Sequence, residues 1–255
     1  NDILEEIWRT ESGRLVGSVM RLVRDLTVAE EIAQEALVSA MESWPISGTP
    51  SNPGAWLMTV ARNSALDHLR RAGRRRPATG DAEAHGSDWA ASGEVGGDDR
   101  LRLMFVCCHP NLSRSSQIAL TLRLVVGLST AQTARAFLVS EQTMAQRLVR
   151  AKRLVSVRRV SFKLPPQVHI ASRLAAVREV IYLVFNEGFT THRGDQLQHV
   201  FLCHEALRLA LILLEAFPSE PELLGLVALM EFQLSRHAAR TDRSGELILL
   251  ADQDR

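Results

Sequence analysis

Apolar positions recur at intervals of three and four residues along most of this chain, a spacing that predicts amphipathic helices. In the first block the recurring apolar positions are Ile3, Ile7, Leu15, Val19, Leu22 and Val23. Thr27 is followed three residues later by Glu30, a capping-box pattern that predicts a helix from there to about Trp44. Another helix is predicted from about Gly54 to Arg71. We therefore expect one helical domain over residues 1–76.

The predicted helix from Thr27 to Trp44 has two faces of opposite character. Its apolar face contains Ile32, Ala36, Leu37, Ala40 and Met41. Its acidic and amide face contains Glu30, Glu31, Gln34 and Glu35. A polar face of this kind ordinarily contacts solvent, so only a further observation would make it a binding surface. After Trp44, residues 45–53 are rich in proline, which predicts a loop.

Residues 77–100 lack the helical pattern and are rich in glycine, alanine, serine and acidic residues, so we predict a flexible acidic linker. Helical periodicity returns over residues 101–160. The predicted stretches there are Leu101–Cys108, Ser115–Val126, Leu128–Phe137 and Glu141–Arg153. Gly127 is a suitable residue to end the second of these helices.

The last two of these stretches, joined by a tight turn at residues 138–140, predict a helix-turn-helix motif. Ser140 is placed to cap the second helix, whose Met144, Leu148 and Ala151 share one apolar face. That face is expected to pack on Leu124, Ala134 and Phe137. The exposed side would present Gln142, Thr143, Gln146, Arg147, Arg150 and Arg153. Glutamine can read adenine, and arginine can read guanine or bind phosphate.

The last third of the chain follows a second joint at Lys163–Pro166 and is predicted to be a helical domain over residues 167–255. Its amphipathic stretches are Val168–Phe185, Leu197–Phe217 and Pro221–Arg236. Thr241–Leu250 carries a glycine between apolar stretches, which fits a hairpin or an extended segment. Because residues 251–255 resemble the start of another helix, we expect that the natural protein continues and that this sequence is truncated.

Charge is strongly segregated along the chain, although the formal net charge is only +1. Residues 61–80 carry six basic side chains and one acidic, and residues 101–160 carry ten basic and one acidic. Residues 81–100, between them, carry six acidic and one basic. Two basic blocks separated by an acidic spacer predict two contacts with a polyanion such as nucleic acid.

Cysteine and histidine give no prediction of a metal, a cofactor or a catalytic residue. Cys107 and Cys108 are adjacent and Cys203 makes the count odd, which argues against a disulfide framework and fits a reducing, cytoplasmic location. The spacing of these cysteines and their neighbouring histidines matches no familiar zinc site, so buried thiols are the simpler interpretation. No apolar run reaches the roughly 18–20 residues that span a bilayer, so we expect no membrane insertion.

Two sequence motifs resemble those of bacterial RNA polymerase sigma factors of the extracytoplasmic-function group. Gly127–Arg153 is similar to region 4 of that family, where G-L-S, an apolar helix, S-x-x-T-V and R-L-x-R-A-R follow in order. Met144 replaces the usual valine. Val28–Glu35 resembles the region 2 helix A-E-D-L-V-Q-E, and Asn52–Arg71 resembles the adjoining N-P-x-A-W-L…A-R-N…D-x-x-R-R run. Val180–Phe189 resembles a subgroup with a long helical C-terminal extension.

The resemblance implies an all-α protein with a region 2 helical bundle (1–76), the linker (77–100), a region 4 helix-turn-helix domain (101–160) and a helical, repeat-like extension (167–255). It implies a factor without enzymatic activity that binds core RNA polymerase and directs promoter recognition and transcription initiation. The core-binding residues it implies are Glu30, Glu31, Gln34 and Glu35.

The resemblance also assigns two sets of promoter contacts. The downstream promoter element would be read by Ser47, Asn52, Arg62, Asn63, Asp67, Arg70, Arg71, Arg74 and Arg75. The upstream element would be read as duplex by Gln142, Thr143, Gln146, Arg147, Arg150 and Arg153. Trp56 could act as a stacking platform for a base, but its position beside Leu57 and Val60 favours a role in the core.

Regulation and function keep alternatives open at this point. Most related sigma factors are held by a separate anti-sigma protein, and the extension here could replace or modify that control by packing on region 2 or region 4 or by docking a partner. One alternative function is a dimeric helix-turn-helix regulator with a helical effector domain, which would bind operator DNA without polymerase. Another is a helical scaffold whose basic blocks are incidental, which would show no salt-sensitive DNA binding.

Overall fold

The computed structural model describes residues 2–75, 97–190 and 196–236, together with residues 239 and 248. Regular structure within those ranges is helical and contains no strand, so the predicted all-α fold class is confirmed. The chain divides into two compact units, Asn1–Pro166 and Gln167–Arg255. This division falls beside the joint predicted at Lys163–Pro166.

The first three helices are α1 (Asp2–Val23), α2 (Leu26–Ser47) and α3 (Pro53–Arg75), and they pack on one another. Their shared core is mostly aliphatic. It includes Leu15, Val16, Val19, Met20, Leu26, Ala29, Ile32, Ala33, Ala36, Ala40, Leu57, Met58, Ala61 and Ala65. Of the apolar face predicted for α2, Leu37 is only half-buried and Met41 is 52% exposed.

Helix α2 is capped two residues earlier and ends later than its sequence pattern predicts. Asp25, not Thr27, is the N-cap: its carboxylate accepts hydrogen bonds from the backbone N–H groups of Thr27 (2.8 Å) and Val28 (3.1 Å). The predicted break at Pro45 is wrong, because the helix includes this proline and runs to Ser47, where Gly48 caps it with a positive φ of 83°. Proline has no backbone N–H, so Pro45 removes one hydrogen bond to the carbonyl four residues earlier, and the helix ends two residues after it.

Four further α-helices lie in the described part of the first unit. They are α4 (Gly97–Cys107), α5 (Arg114–Leu120), α6 (Thr130–Ala136) and α7 (Glu141–Val157). The helix predicted over Ser115–Val126 changes character midway, because Thr121–Val125 form a π-helical turn directly after α5. Gly127 then ends this segment with φ 84°, a backbone conformation that glycine adopts without strain.

The predicted linker over residues 77–100 is wrong at its C-terminal end. Residues 76–96 lie outside the described part of the chain, but α4 already begins at Gly97, and Asp99 and Arg100 are buried. Asp99 can be buried because it accepts a hydrogen bond from the Ser18 hydroxyl (3.0 Å) and lies 3.5 Å from the Arg21 guanidinium. The polar composition of residues 77–100 predicted that Asp99 would be exposed to solvent. In the structure, its partners on α1 compensate the cost of burying its charge.

Glycines allow α1 to approach the second half of the unit very closely. A Cβ atom on Gly13 would lie 2.6 Å from the carbonyl oxygen of Val125, and a Cβ on Gly17 would lie 2.6 Å from that of Asp99. Trp8 adds a buried hydrogen bond from its indole Nε1 to the Gly127 carbonyl oxygen, 3.2 Å long. The domains predicted over 1–76 and 101–160 are therefore packed together in this structure.

The second unit contains three described helices, α8 (Gln167–Thr190), α9 (Gln196–Ala216) and α10 (Pro221–Ser235). These confirm the three helices predicted for the tail, with α8 extending about one turn further. Helix α9 packs on both α8 and α10. The segment predicted over Thr241–Leu250 lies outside the described residues except for residue 248. Across the described ranges, every helix is too short or too polar to cross a membrane.

Candidate functional site

The acidic face of α2 is divided between solvent and the protein interior. Glu31 and Glu35 are exposed and Gln34 is half-buried, as expected for a surface that could bind a partner. Glu30 is different, because only 6% of its surface is accessible. The sequence pattern groups all four side chains, but the structure leaves three of them accessible and encloses the fourth.

Glu30 is enclosed by two cations from the second half of the unit. Its Oε1 accepts a hydrogen bond from Arg123 Nε at 2.8 Å, and its Oε2 accepts one from Lys152 Nζ at 2.7 Å. Gln34 Nε2 donates a third hydrogen bond, 3.0 Å long, to Oε1. We call Glu30, Arg123 and Lys152 the buried charge cluster. A buried carboxylate needs such partners, since an unpaired charge in the interior is strongly destabilising.

The π-helical turn is what positions Arg123 in this cluster. Its guanidinium also donates from Nη1 to the Leu128 carbonyl oxygen at 2.9 Å, so the same side chain joins the turn to the following loop. Lys152 comes from the buried side of α7, next to Ala151 and away from the exposed polar face. Both cations are far from Glu30 in the sequence, so no local spacing predicts that they pair with it. The sequence feature that indicates a close contact by α1 is the Gly13–Gly17 spacing, which favours close helix packing.

The recognition helix of the predicted helix-turn-helix motif is α7. Ser140 caps it as predicted, since its hydroxyl oxygen accepts from the Thr143 backbone N–H at 3.2 Å. Ser129 caps the preceding α6 in a full capping box with Gln132. Leu138 supplies the tight turn with a positive φ of 51°. Met144, Leu148 and Ala151 are buried as predicted.

The outer face of α7 presents the side chains predicted to bind duplex DNA. Those that are exposed are Gln142, Thr143, Gln146, Arg150 and Arg153. Arg147 is half-buried, with its guanidinium carbon 5.0 Å from the centre of the Phe137 ring, a cation–π distance. Val149 lies on the same face and is 60% exposed. This face can offer amide and guanidinium groups to base edges and an apolar surface to a thymine methyl group.

The residues predicted to read the downstream element lie on α3 and in the loop before it. Asn63, Asp67, Arg70 and Arg74 occur at intervals of four, three and four, so they share one exposed stripe. Arg70 Nη1 lies 3.0 Å from Asp67 Oδ1 on the surface. Arg71 is exposed too, Arg62 is half-buried, and Arg75 is the last residue of the helix.

Two of the predicted downstream contacts have structural roles as well. The Asn52 side chain caps α3, since its Oδ1 accepts from the Ala55 backbone N–H at 3.0 Å. The Ser47 hydroxyl donates to the Ser43 carbonyl oxygen at 2.9 Å. Trp56 lies edge-on to Trp44 with ring centres 5.4 Å apart, a packing contact between α2 and α3. Trp56 is half-buried, so it contributes to packing, and its role toward DNA stays a prediction.

The three cysteines are buried thiols that form no disulfide. Burial raises the pKa of the Cys107 thiol well above its ordinary value, and the neighbouring Cys108 and Glu30 raise it further. A thiol with a raised pKa is a poor nucleophile and a poor metal ligand at neutral pH. Within the described ranges, histidine, cysteine and acidic side chains form no group of three or more that could hold a metal ion.

Comparisons with protein families divide the chain in the same order as its helices. Residues 7–75 match the family described as Sigma-70 region 2, and residues 102–155 match Sigma-70, region 4. Residues 173–255 match a family of unknown function, DUF6596. The three matched segments correspond to α1–α3, to α4–α7 and to the second unit.

Similar proteins support this division. An uncharacterized protein of Rhizobium meliloti is 47% identical over 94% of this chain and 58% of its own length. A probable ECF RNA polymerase sigma factor, SigI of Mycobacterium tuberculosis, is 28% identical over 66% of this chain and 60% of its own length. The chain thus spans about three fifths of these two relatives. The ECF RNA polymerase sigma factor SigL of Mycobacterium tuberculosis is 32% identical over 53% of this chain and 78% of its own length. The chain belongs to the extracytoplasmic-function (ECF) family of RNA polymerase sigma factors.

Proposed function

We propose that this protein binds core RNA polymerase in the cytoplasm and directs it to specific promoters to initiate transcription. The observation that carries the proposal is the order of the two sigma regions, each with an exposed polar face on a well-capped helix. Region 2 contributes the acidic face of α2 and the stripe on α3, and region 4 contributes the outer face of α7. The polymerase supplies the chemistry, and this chain supplies the recognition.

Core polymerase would be bound by the acidic face of α2. Glu31 and Glu35 are exposed and one helical turn apart, so together they present two carboxylates to a basic surface of the polymerase. Charge complementarity of this kind steers association and fixes register more than it adds affinity. Glu30 and Gln34 would complete the surface when the polymerase is bound.

Upstream promoter DNA would be read as duplex by α7 lying in the major groove. Gln142 and Gln146 are one turn apart and can each pair with an adenine through two hydrogen bonds. Arg150 and Arg153 continue the face toward the C-terminal half of the helix, where they can reach guanine or phosphate. Arg147, stacked on Phe137, would have less freedom and would position the helix on the backbone.

Downstream promoter DNA would meet the exposed stripe of α3 as its strands separate. Arg70, Arg71 and Arg74 can bind phosphates, while Asn63 and Asp67 can form hydrogen bonds with the edges of unstacked bases. The two proposed DNA contacts lie in the two matched regions, with region 2 before region 4 in the sequence. A dimeric operator-binding regulator is not favoured, since it leaves the match to Sigma-70 region 2 without a role.

Transcription with purified components tests this function. Genomic DNA is transcribed by core polymerase with and without the protein, and the 5′ ends of the transcripts are mapped. We expect discrete new start sites that require both components. Binding of the protein to duplex DNA with no new starts would instead support the operator-binding alternative. A chain that neither binds DNA nor yields new starts would support the scaffold or a sigma factor locked by its own C-terminal extension.

We further propose that the second unit, matched to the family of unknown function, regulates this activity. It has an aliphatic core of its own, formed by side chains such as Leu174, Ile181, Leu209 and Met230. A protein that stops at Pro166 tests this role in the same transcription assay. A change in start-site strength or selection is expected, and identical transcription from both chains would contradict a regulatory role.

A further inference from the structure

We propose that region 4 keeps this sigma factor closed by occupying part of its own polymerase-binding surface, with Arg123 and Lys152 holding Glu30. The inference rests on the proposed function, because it assigns Glu30 to the surface that core polymerase binds. The closed form would exchange with an open form in which Glu30 is free. Core polymerase would capture the open form by offering its own basic side chains to the same carboxylate.

The buried charge cluster is the centre of the closed form. Both oxygens of Glu30 are bonded to cations from region 4, at 2.8 Å from Arg123 and 2.7 Å from Lys152. A carboxylate with 6% of its surface accessible and both oxygens engaged by these cations cannot at the same time bind a basic side chain of another protein. Binding of the polymerase at Glu30 therefore requires region 4 to move away.

Exchange between the two forms is physically reasonable because each form pairs the same carboxylate with a cation. A buried ion pair contributes little net stability, since desolvation offsets most of the attraction. Replacing the cations of region 4 by cations of the polymerase therefore needs only a small difference in free energy. The fraction of open molecules then scales the apparent affinity for polymerase.

The glycine contacts of α1 form the second part of the closed form. Gly17 touches the backbone of Asp99 and Gly13 touches the backbone of Val125 so closely that side chains there would force the helices apart. Smaller polar contacts lie at the edge. The Ser156 hydroxyl donates to Asp25 Oδ2 at 3.1 Å, and Gln132 Nε2 lies 3.3 Å from Glu5 Oε1. These contacts join region 2 to region 4 without using the outer face of α7.

Lys152 offers a way to open the structure without removing the groups proposed to bind polymerase or DNA. Its ammonium group is bonded to Glu30, and its position on α7 is outside the predicted DNA face. Arg123 is less suitable, because it also bonds the Leu128 carbonyl oxygen within region 4. Lys163, the other lysine of the chain, is exposed and gives a control with the same loss of charge.

The experiment compares the full chain with Lys152→Met, Gly17→Leu and Lys163→Met by surface plasmon resonance on immobilised core polymerase. Lys152→Met weakens the charge cluster, and Gly17→Leu forces α1 from α4 at a separate place. We expect both variants to bind core polymerase about tenfold more tightly than the unmodified chain, and Lys163→Met to bind equally. Circular dichroism confirms that each variant retains its helices.

Cysteine alkylation measures opening without polymerase. Cys107 is inaccessible and close enough to Glu30 for that charge to raise its pKa, so opening should increase its rate of reaction with iodoacetamide. Cys203, buried in the second unit beside the Phe185 carbonyl oxygen, is the internal control, and peptide mass spectrometry distinguishes the sites. Faster alkylation of Cys107 and not Cys203 is expected in both opened variants.

The two measurements separate the possible failures. If the unmodified chain binds core polymerase and both opened variants bind with the same affinity, the closed-form inference is wrong and the proposed function stands. If Cys107 reacts faster in the variants but every chain fails to bind polymerase, the closed form exists and the proposed function is wrong. Unchanged alkylation in both folded variants would also overturn the inference.

Discussion

The acidic face of α2 and the outer face of α7 begin as the same kind of sequence feature, a polar stripe on an amphipathic helix. In the structure they differ. On the α7 face, Gln142, Gln146 and Arg150 are exposed. On the α2 face, Glu30 is buried and bonded to two cations from region 4. The side proposed to bind DNA is thus accessible in this structure, and the side proposed to bind polymerase is partly occupied. A polar stripe therefore identifies a candidate surface but not whether that surface is free.

The largest test of this comparison is the removal of the occupied carboxylate. Glu30→Ala leaves Arg123 and Lys152 facing each other without an anion, and we expect the free energy of unfolding of the first unit to fall by about 3 kcal/mol. Urea unfolding followed by circular dichroism measures this loss. Glu31→Ala, on the exposed part of the same helix, should stay within about 0.5 kcal/mol of the parent. Equal losses in the two variants would show that the cluster adds nothing to stability.

An exposed residue of α7 should show the opposite pattern, with an effect on recognition and none on folding. Gln146→Ala should reduce discrimination at one base pair of the upstream element by about 1–3 kcal/mol. Transcription from a randomised promoter library by polymerase carrying each protein measures this preference. The unfolding midpoint should not change, because the side chain is exposed. An unaltered base preference would remove Gln146 from the recognition surface.

Salt dependence separates phosphate contacts from base contacts on the same face. Arg150→Gln should weaken binding to all promoter sequences and lower the slope of log affinity against log salt concentration by roughly one. Fluorescence anisotropy with labelled promoter duplex and the polymerase complex measures the slope. If the slope is unchanged but one base preference is lost, Arg150 reads a base and does not bind a phosphate.

The smallest expected effect concerns the buried Cys107 thiol. Its pKa is raised in the folded protein, mainly by burial, so folding favours the protonated thiol. The resulting stability is present below the pKa of an unfolded cysteine, about 8.5, and is lost as pH rises toward the folded value. The midpoint temperature of thermal unfolding should therefore fall less steeply between pH 7 and 10 for Cys107→Ala than for the parent. Parallel curves would exclude a contribution from this thiol.

Much of the local structure could be predicted from the sequence because it depends on neighbouring residues. The all-α class, the helix-turn-helix motif and the cap at Ser140 follow from periodicity and from side chains that bond their own backbone. The end of α2 and the start of α4 were predicted less well. Pro45 and the acidic residues before Leu101 are typical of loops. Tertiary packing overrides this pattern at Asp99 and Arg100, which are buried, whereas residues 45–47 extend α2 while exposed to solvent.

The predicted site residues divide in the same way, into those whose exposure follows from the local pattern and those whose environment depends on tertiary packing. Exposure of Gln142, Gln146 and Arg153 follows from helical phase once Met144 and Leu148 are assigned to the core. The fate of Glu30 does not, since Arg123 and Lys152 are 93 and 122 residues away in the sequence. No local pattern on α2 distinguishes a carboxylate that meets solvent from one that meets cations brought by another domain.

The sequence by itself determined which segments are helical, which faces are polar and which family the two motifs resemble. These properties depend on side chains a few residues apart, where spacing fixes geometry. Only the tertiary structure decided that region 2 and region 4 pack together, that Gly13 and Gly17 allow the contact, and that Glu30 lies inside it. Such contacts depend on which surfaces meet, and their free energy comes from desolvation and pairing of groups distant in sequence.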